Sequence, residues 1–121
     1  MGQRQNNRET GQRYEDMAVR YLRGRGYEIV RRNYRCPYGE IDVIARDGDT
    51  LVFVEVKYRG SAYWGAPWEA VNARKRRRIS RAALSFYSGN GYEQDVSCRF
   101  DVIGIERGGK ITHIENAFDY M

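Results

Sequence analysis

Gly39-Glu40-Ile41-Asp42-Val43-Ile44-Ala45-Arg46-Asp47-Gly48-Asp49-Thr50-Leu51-Val52-Phe53-Val54-Glu55-Val56-Lys57 reads as two strands joined by a tight turn. Asp47-Gly48 is the hairpin signal, because both residues tolerate the positive φ of a type I′ turn. Apolar residues recur at every second position on each side: Ile41, Val43 and Ala45, then Val52, Val54 and Val56. Side chains alternate between the two faces of a strand, so these two rows must share a face if they are buried together. The other face then carries Glu40, Asp42 and Ile44 beside Leu51, Phe53, Glu55 and Lys57. Asp42 and Glu55 become neighbours across the ladder, and Lys57 lies one pleat beyond.

Two carboxylates held close together repel, and one of them is driven towards its protonated form unless a cation intervenes. A hard divalent ion such as Mg²⁺, held by one or two carboxylates and several waters, relieves this. Such an ion polarises a phosphoryl oxygen and lowers the pKa of a bound water. Lys57 would orient or deprotonate that water, or stabilise charge that develops during the reaction. The set therefore points to metal-dependent phosphodiester hydrolysis. The plainer reading is a solvated strand face with a Glu-Lys pair, which is worth little to stability. Against it, residues 51 to 54 are apolar on both faces, which places the charges at the edge of a covered region. Glu40 faces the same way as Asp42 and is a candidate supporting or alternate ligand.

An Asp, a hairpin, then Glu-x-Lys on the next strand resembles the PD-(D/E)xK nuclease superfamily, with its restriction-endonuclease-like fold. Over nearly the whole chain the sequence is similar to the bacterial YraN-like family, which is related to archaeal Holliday junction resolvases. The match is carried by Gly11 through Glu15 and Ala18, Gly39-Glu40-Ile41-Asp42, Phe53-Val54-Glu55-Val56-Lys57, the Arg-rich segment near Lys75, Arg99-Phe100-Asp101-Val102, and His113 through Phe118. One position departs from the superfamily pattern: Ile41 stands where a proline would precede Asp42. The resemblance implies a metal, Mg²⁺ or Mn²⁺, on Asp42, Glu55 and the Val56 backbone carbonyl. It also implies that Glu15, on the first helix, joins the metal site or holds a water. Resolution of branched DNA would require a symmetric homodimer, because two strands are cut.

With 121 residues the chain is expected to form one domain, residues 9–121, behind a flexible polar tail at 1–8. A net charge of +5 and a pI near 9.4 favour a polyanionic partner. Arginine carries most of the positive charge, which suits bidentate phosphate contacts. Cys36 and Cys98 fit a reducing compartment and have no metal-ligand spacing. No apolar run approaches membrane-spanning length and no signal-peptide core is present, so the expected location is the cytoplasm. Met1-Gly2 opens like a myristoylation site, but Asn6 stands where Ser or Thr is needed.

The pattern predicts a helix over about 10–23 that Gly24-Arg25-Gly26 terminates. A strand follows over 27–32, then a loop or strand continuation interrupted by Pro37. The hairpin strands cover 40–46 and 50–58. A glycine-rich aromatic loop spans 59–67, and Pro67 suits the first turn of a helix over 68–88. Strands over 97–106 and 111–115 complete the order αβββαββ. The expected fold is α/β, a central mixed sheet flanked by helices, with a restriction-endonuclease-like core by resemblance.

On the second helix Arg74, Arg77, Arg78 and Arg81 share one stripe, while Ile79, Ala82, Ala83 and Phe86 form an apolar stripe that can dock on the sheet. Charge runs are usually solvated faces. Here a phosphate backbone would offset the repulsion among like charges and release counterions. Arg59, at the end of a strand, could also reach a phosphate. Tyr58, Tyr63, Trp64 and Trp68 could stack on unpaired bases, or pack their loop on the sheet. His113 reads as structural, and Asp101 as a hydrogen-bonded structural carboxylate. No Ser-His-Asp arrangement and no Gly-x-x-x-x-Gly-Lys phosphate loop is present. The leading expectation is an Mg²⁺- or Mn²⁺-dependent DNA endonuclease directed at branched DNA. The alternatives are a non-catalytic nucleic-acid-binding module of the same fold and a structural adaptor.

Overall fold

The computed structural model describes residues 3–59, 72–91 and 96–120. The elements are α1 (Gln3–Gly24), β1 (Glu28–Cys36), β2 (Gly39–Asp47), β3 (Thr50–Arg59), α2 (Ala73–Gly89), β4 (Cys98–Glu106) and β5 (Ile111–Phe118). This is the expected αβββαββ order. The five strands form one sheet in the order β1-β2-β3-β4-β5. Neighbours are antiparallel except β3 and β4, which run parallel, so the sheet is mixed.

The alternation along the strands loads both faces. Val43, Ala45, Val52, Val54, Ile103 and Ile105 pack against Ala18, Val19 and Leu22 of α1. Ile44, Leu51, Phe53, Phe100 and Val102 pack against Ile79, Ala82, Ala83 and Phe86 of α2. The second layer is aromatic: Phe53, Phe100 and Phe118 follow one another at ring separations of 5.6 and 5.0 Å. The predicted apolar stripe of α2 is thus the one that docks.

The hairpin differs from its reading in two ways. Its loop is Gly48-Asp49, closed by the pair Asp47↔Thr50. Only Gly48 has positive φ, at 62°. That is the pattern of a II′ turn and not of I′, in which both central residues need positive φ. Asp47 therefore belongs to the strand, where its Oδ2 accepts from Arg99 Nη1 at 3.1 Å.

The second difference bears on the site. Ile41 does not share a face with Val43; it joins Ile44, Leu51 and Phe53 on the α2 side. The β2–β3 ladder ends at Val43↔Val54. On the other flank, Asn33 adopts a left-handed φ of 53° between the pairs Arg32↔Val43 and Tyr34↔Ile41. The period of two breaks at Asp42, a local twist that the side-chain pattern alone does not reveal.

Several boundaries also move. α1 starts at Gln3 and not near Thr10, β1 continues to Cys36 before the turn at Pro37-Tyr38, and β5 runs on to Phe118. The α1 stop is as read: Gly26 sits at φ 90°, and Tyr27 N–H closes on the Leu22 carbonyl at 3.0 Å. Within the described residues α2 begins at Ala73, where Asn72 caps it in an extended conformation and accepts from Lys75 N–H at 2.9 Å; the predicted start near Trp68 lies outside them. Gly39 lets α2 approach β2 closely, since a Cβ there would lie 3.3 Å from the Arg78 carbonyl oxygen. Tyr63, Trp64, Pro67 and Trp68, together with the Arg59 side chain, lie outside the described residues.

Candidate active site

Where β2 parts from β3, the Val56 N–H is left without a strand partner on that side. The Asp42 carboxylate takes the place of the missing carbonyl: Oδ2 accepts from Val56 N–H at 2.8 Å. Asp42 is thereby fixed in the opening between the strands. Glu55, the preceding residue of β3, is 6% exposed and faces α2, where its Oε2 is ion-paired with the Lys75 ammonium.

The two carboxylates act on each other. Burial pushes the Asp42 carboxyl up to about 7, and Glu55 adds to the rise. The Val56 N–H and the Lys75 ammonium oppose it, and Glu15 contributes a smaller push upward. Lys57, two residues beyond Glu55 on the same face of β3, is held below its ordinary value by burial and by Lys75. Burial also disfavours the charged form of Lys75, but Glu55 outweighs it and raises this ammonium above its ordinary value. The site is therefore a half-buried set of two carboxylates and two lysines.

It lies between two clefts. On the α1 side, one of about 630 Å³ is lined by Glu15, Asn33, Asp42, Val56 and the Tyr14–Tyr58 pair, whose rings stack at 4.0 Å. On the α2 side, one of about 770 Å³ is lined by Arg35, Glu40, Arg74, Lys75 and Arg78. Arg35 lines both.

Asp42, Glu55 and Lys57 are thus brought close together, but not on the single face that the alternation predicts: Asp42 opens to the α1 side while Glu55 faces α2. Glu15 is also close, buried to 7% exposure. Its Oε1 accepts from Arg32 Nε at 3.1 Å, Arg32 Nη2 at 2.9 Å and Asn33 Nδ2 at 3.0 Å. Glu40 does not share a cleft with Asp42; it is largely exposed and ion-paired with Arg35 at 3.3 Å. Arg74, Arg77, Arg78 and Arg81 are all exposed, but only Arg74 and Arg78 line the α2-side cleft. Sequence reasoning missed Lys75, which was absorbed into the arginine run. The signal available was its register: Ile79, four residues on, belongs to the sheet-facing stripe.

A polar network lies beneath the C-terminal half of α1. Asp101 is fully buried and accepts from Arg99 Nε at 3.0 Å, Asn116 N–H at 3.0 Å and His113 Nε2 at 2.7 Å. His113 Nδ1 lies 3.2 Å from the Tyr21 hydroxyl. Burial opposes ionisation of Asp101, yet the bonds from His113 and Arg99 hold its carboxyl below the ordinary value. Asp101 is thus a buried, hydrogen-bonded carboxylate, and His113 is one of its partners.

The donor set suits a hard divalent ion: two adjacent carboxylates, one driven towards neutrality by the other's charge and by burial. Among the described residues no group of three His, Cys, Asp or Glu side chains is placed to hold a metal. Asp42 and Glu55 would share the ion with backbone carbonyl and water oxygens, the sparse protein ligation usual for Mg²⁺.

Fold and site together define a mixed α/β protein with a restriction-endonuclease-like core and an acidic, lysine-flanked opening at the edge of its hairpin. A family model described as "Uncharacterised protein family UPF0102" matches residues 14–105, a span that holds every member of this cluster. The chain belongs to that family, which is the YraN-like group. It is 47% identical over 116 residues to a UPF0102 protein of Geobacter metallireducens, covering 93% of this chain and 94% of the relative. A UPF0102 protein of Geobacter sulfurreducens is 49% identical over 117 residues, covering 93% and 91%. One from Carboxydothermus hydrogenoformans is 39% identical over 118 residues, covering 95% and 99%. Among the described residues, no helix is long and apolar enough to cross a membrane.

Proposed function

We propose that this chain is a DNA endonuclease dependent on Mg²⁺ or Mn²⁺, of the PD-(D/E)xK type and directed at branched DNA. The observation that carries this is the buried apposition of Asp42 and Glu55, with the Asp42 carboxyl pushed up to about 7 and Lys57 alongside. Two adjacent acids at the mouth of a cleft cost stability unless something binds them. The ion, held by Asp42, Glu55 and the Val56 carbonyl, would supply Lewis acidity at the phosphoryl oxygen and a more acidic water.

The remaining work falls to this chain. Lys57, whose burial favours the neutral amine, orients the attacking water and in that neutral form takes its proton, becoming the ammonium. The water oxygen forms a bond to phosphorus as the phosphorus–oxygen bond to the leaving strand breaks, and that strand's oxygen takes a proton from solvent. Glu15, clamped by Arg32 and Asn33, borders the water on the α1 side. Arg74 and Arg78 hold phosphates in the α2-side cleft, with Arg77 and Arg81 along the flanking duplex. A homodimer would present two such sites to the two strands of a junction.

The ion pair between Lys75 and Glu55 favours one other reading, a nucleic-acid-binding module without catalysis, because it supplies Glu55 with a cation from within the fold. The two are separated by incubating labelled duplex, single-stranded, flap and four-way-junction DNA with Mg²⁺ or Mn²⁺ and the wild type, Lys57→Ala or Asp42→Ala. Metal-dependent cutting by the wild type, lost in both variants, is expected. DNA binding without cutting in all three would select the binding module.

A further inference from the structure

We propose that Lys75 is a resident counter-cation: it holds Glu55 while the site lacks metal and gives up that carboxylate when a divalent ion binds. The inference rests on the metal-dependent reading above and adds to it a competitor built into the fold.

Lys75 stands where a helix least favours a cation. It lies in the first turn of α2, a turn without any acidic residue, next to the positive end of the helix dipole. Its backbone is pinned there, because its N–H is the donor to the Asn72 cap. Its side chain is not buried to match: 40% remains exposed, while Glu55 is 6% exposed. The ammonium therefore reaches in from the cleft to a carboxylate that solvent hardly touches. A buried carboxylate without a counter-charge is strongly destabilising, and a second one, Asp42, stands beside it. In the absence of a metal, Lys75, with Lys57 alongside, offsets the charge of this acidic pair, and among the described residues it is Lys75 that is ion-paired with Glu55.

A divalent ion on the same pair changes the balance. It would carry two positive charges to within contact of Glu55, and an ammonium on that carboxylate would then face a like charge at short range. The exposed half of Lys75 gives it somewhere to go. The α2-side cleft that it lines also holds Arg35, Arg74 and Arg78, so a released ammonium adds a positive charge where a phosphate would lie. Metal loading thus strengthens anion binding in that cleft, and by linkage an occupied cleft strengthens metal binding by the same factor.

The test is calorimetric titration of Mn²⁺ into the wild type, Lys75→Met and Lys75→Arg at pH 7.5, without nucleic acid. Removing the competitor is expected to tighten Mn²⁺ binding about tenfold in Lys75→Met. Lys75→Arg keeps the cation and is expected to stay near the wild type. In parallel, the ¹⁵N ammonium resonance of Lys75, assigned from its loss in Lys75→Arg, is followed in the wild type during Mg²⁺ titration. It is expected to move as Mg²⁺ saturates, and this readout stands even where Lys75→Met fails to fold. Equal or weaker Mn²⁺ binding by folded Lys75→Met, beside a wild type that does bind, overturns the competitor and leaves the metal-dependent reading intact. So does an unmoved Lys75 resonance in a protein saturated with Mg²⁺. No metal binding by the wild type and Lys75→Met alike overturns both.

Discussion

Replacing Asp42 with Asn is expected to stabilise the metal-free protein near pH 8 and to do little near pH 4. The Asp42 carboxyl is pushed from an ordinary value of 3.8 up to about 7, by burial first and by the Glu55 charge second. Folding therefore favours the protonated acid. Below pH 4 both folded and unfolded chains hold the proton, and Asp42 has no electrostatic cost. As pH rises from 4 to 7, the unfolded chain releases its proton while the folded one keeps it, so stability falls across that window and levels off above it. At about 1.4 kcal/mol per pH unit, the full cost of the ionised group is roughly 4 kcal/mol. Asn removes the charge and keeps an oxygen for the Val56 N–H, although an amide accepts more weakly than a carboxylate, a loss of about 1 kcal/mol. The net gain at pH 8 is then about 3 kcal/mol, measurable as a shift of the urea midpoint in EDTA. Saturating Mg²⁺ should reverse the order, because only the wild type gains binding energy from the ion. Equal urea midpoints at pH 8, or a difference between the two proteins that does not change from pH 4 to pH 8, would refute the reasoning.

The buried network under α1 behaves in the opposite sense. Asp101→Asn is expected to cost about 3 kcal/mol at pH 7, because it leaves Arg99 without its main counter-charge. Since Asp101 is held below its ordinary value, the stability it confers is present above pH 4 and is lost as pH falls further. Thermal melts from pH 7 to pH 2 should show less acid sensitivity in the variant. For nucleic acid, the double change Arg74→Gln with Arg78→Gln is expected to lower the slope of log affinity against log salt by about 2 for duplex DNA. Fluorescence anisotropy across a salt series measures it, and an unchanged slope would remove these two side chains from the phosphate contacts.

The fold was legible because its signals are local. Strand alternation in residues 41–56, the glycines at 24 and 26, and the apolar stripe Ile79, Ala82, Ala83, Phe86 each constrain a few neighbouring residues, and together they determine the order of elements and both sheet faces. The misreadings share a cause. The II′ loop at Gly48-Asp49, the turn of Ile41 to the α2 side and the strand run beyond Asn33 all depend on single backbone torsions. An Asn at positive φ looks in sequence like any other Asn. The predicted start of α2 beside Pro67 lies outside the described residues, within which the Asn72 cap marks where the helix begins.

Asp42, Glu55 and Lys57 could be found because two adjacent strands with a short turn bring them together, although parity alone puts Asp42 on one face with Glu55 and the break at Asp42 turns it to the α1 side. Lys75 could not, because its place depends on how far α2 sits from β2. That spacing follows from the packing of Ile79, Ala82, Ala83 and Phe86 on the sheet, and Gly39 permits it, since a Cβ there would lie 3.3 Å from the Arg78 carbonyl oxygen. The same twist that ends the β2–β3 ladder at Val43↔Val54 frees the Val56 N–H, and that free donor is what holds Asp42 beside Glu55. A ladder continued through Ile41 and Val56 would satisfy this N–H with a backbone carbonyl and leave Asp42 without its anchor. The acidic pair exists because the sheet is left incomplete there, and the same opening brings Asp42 of the α1-side cleft beside Glu55, which faces the basic helix α2.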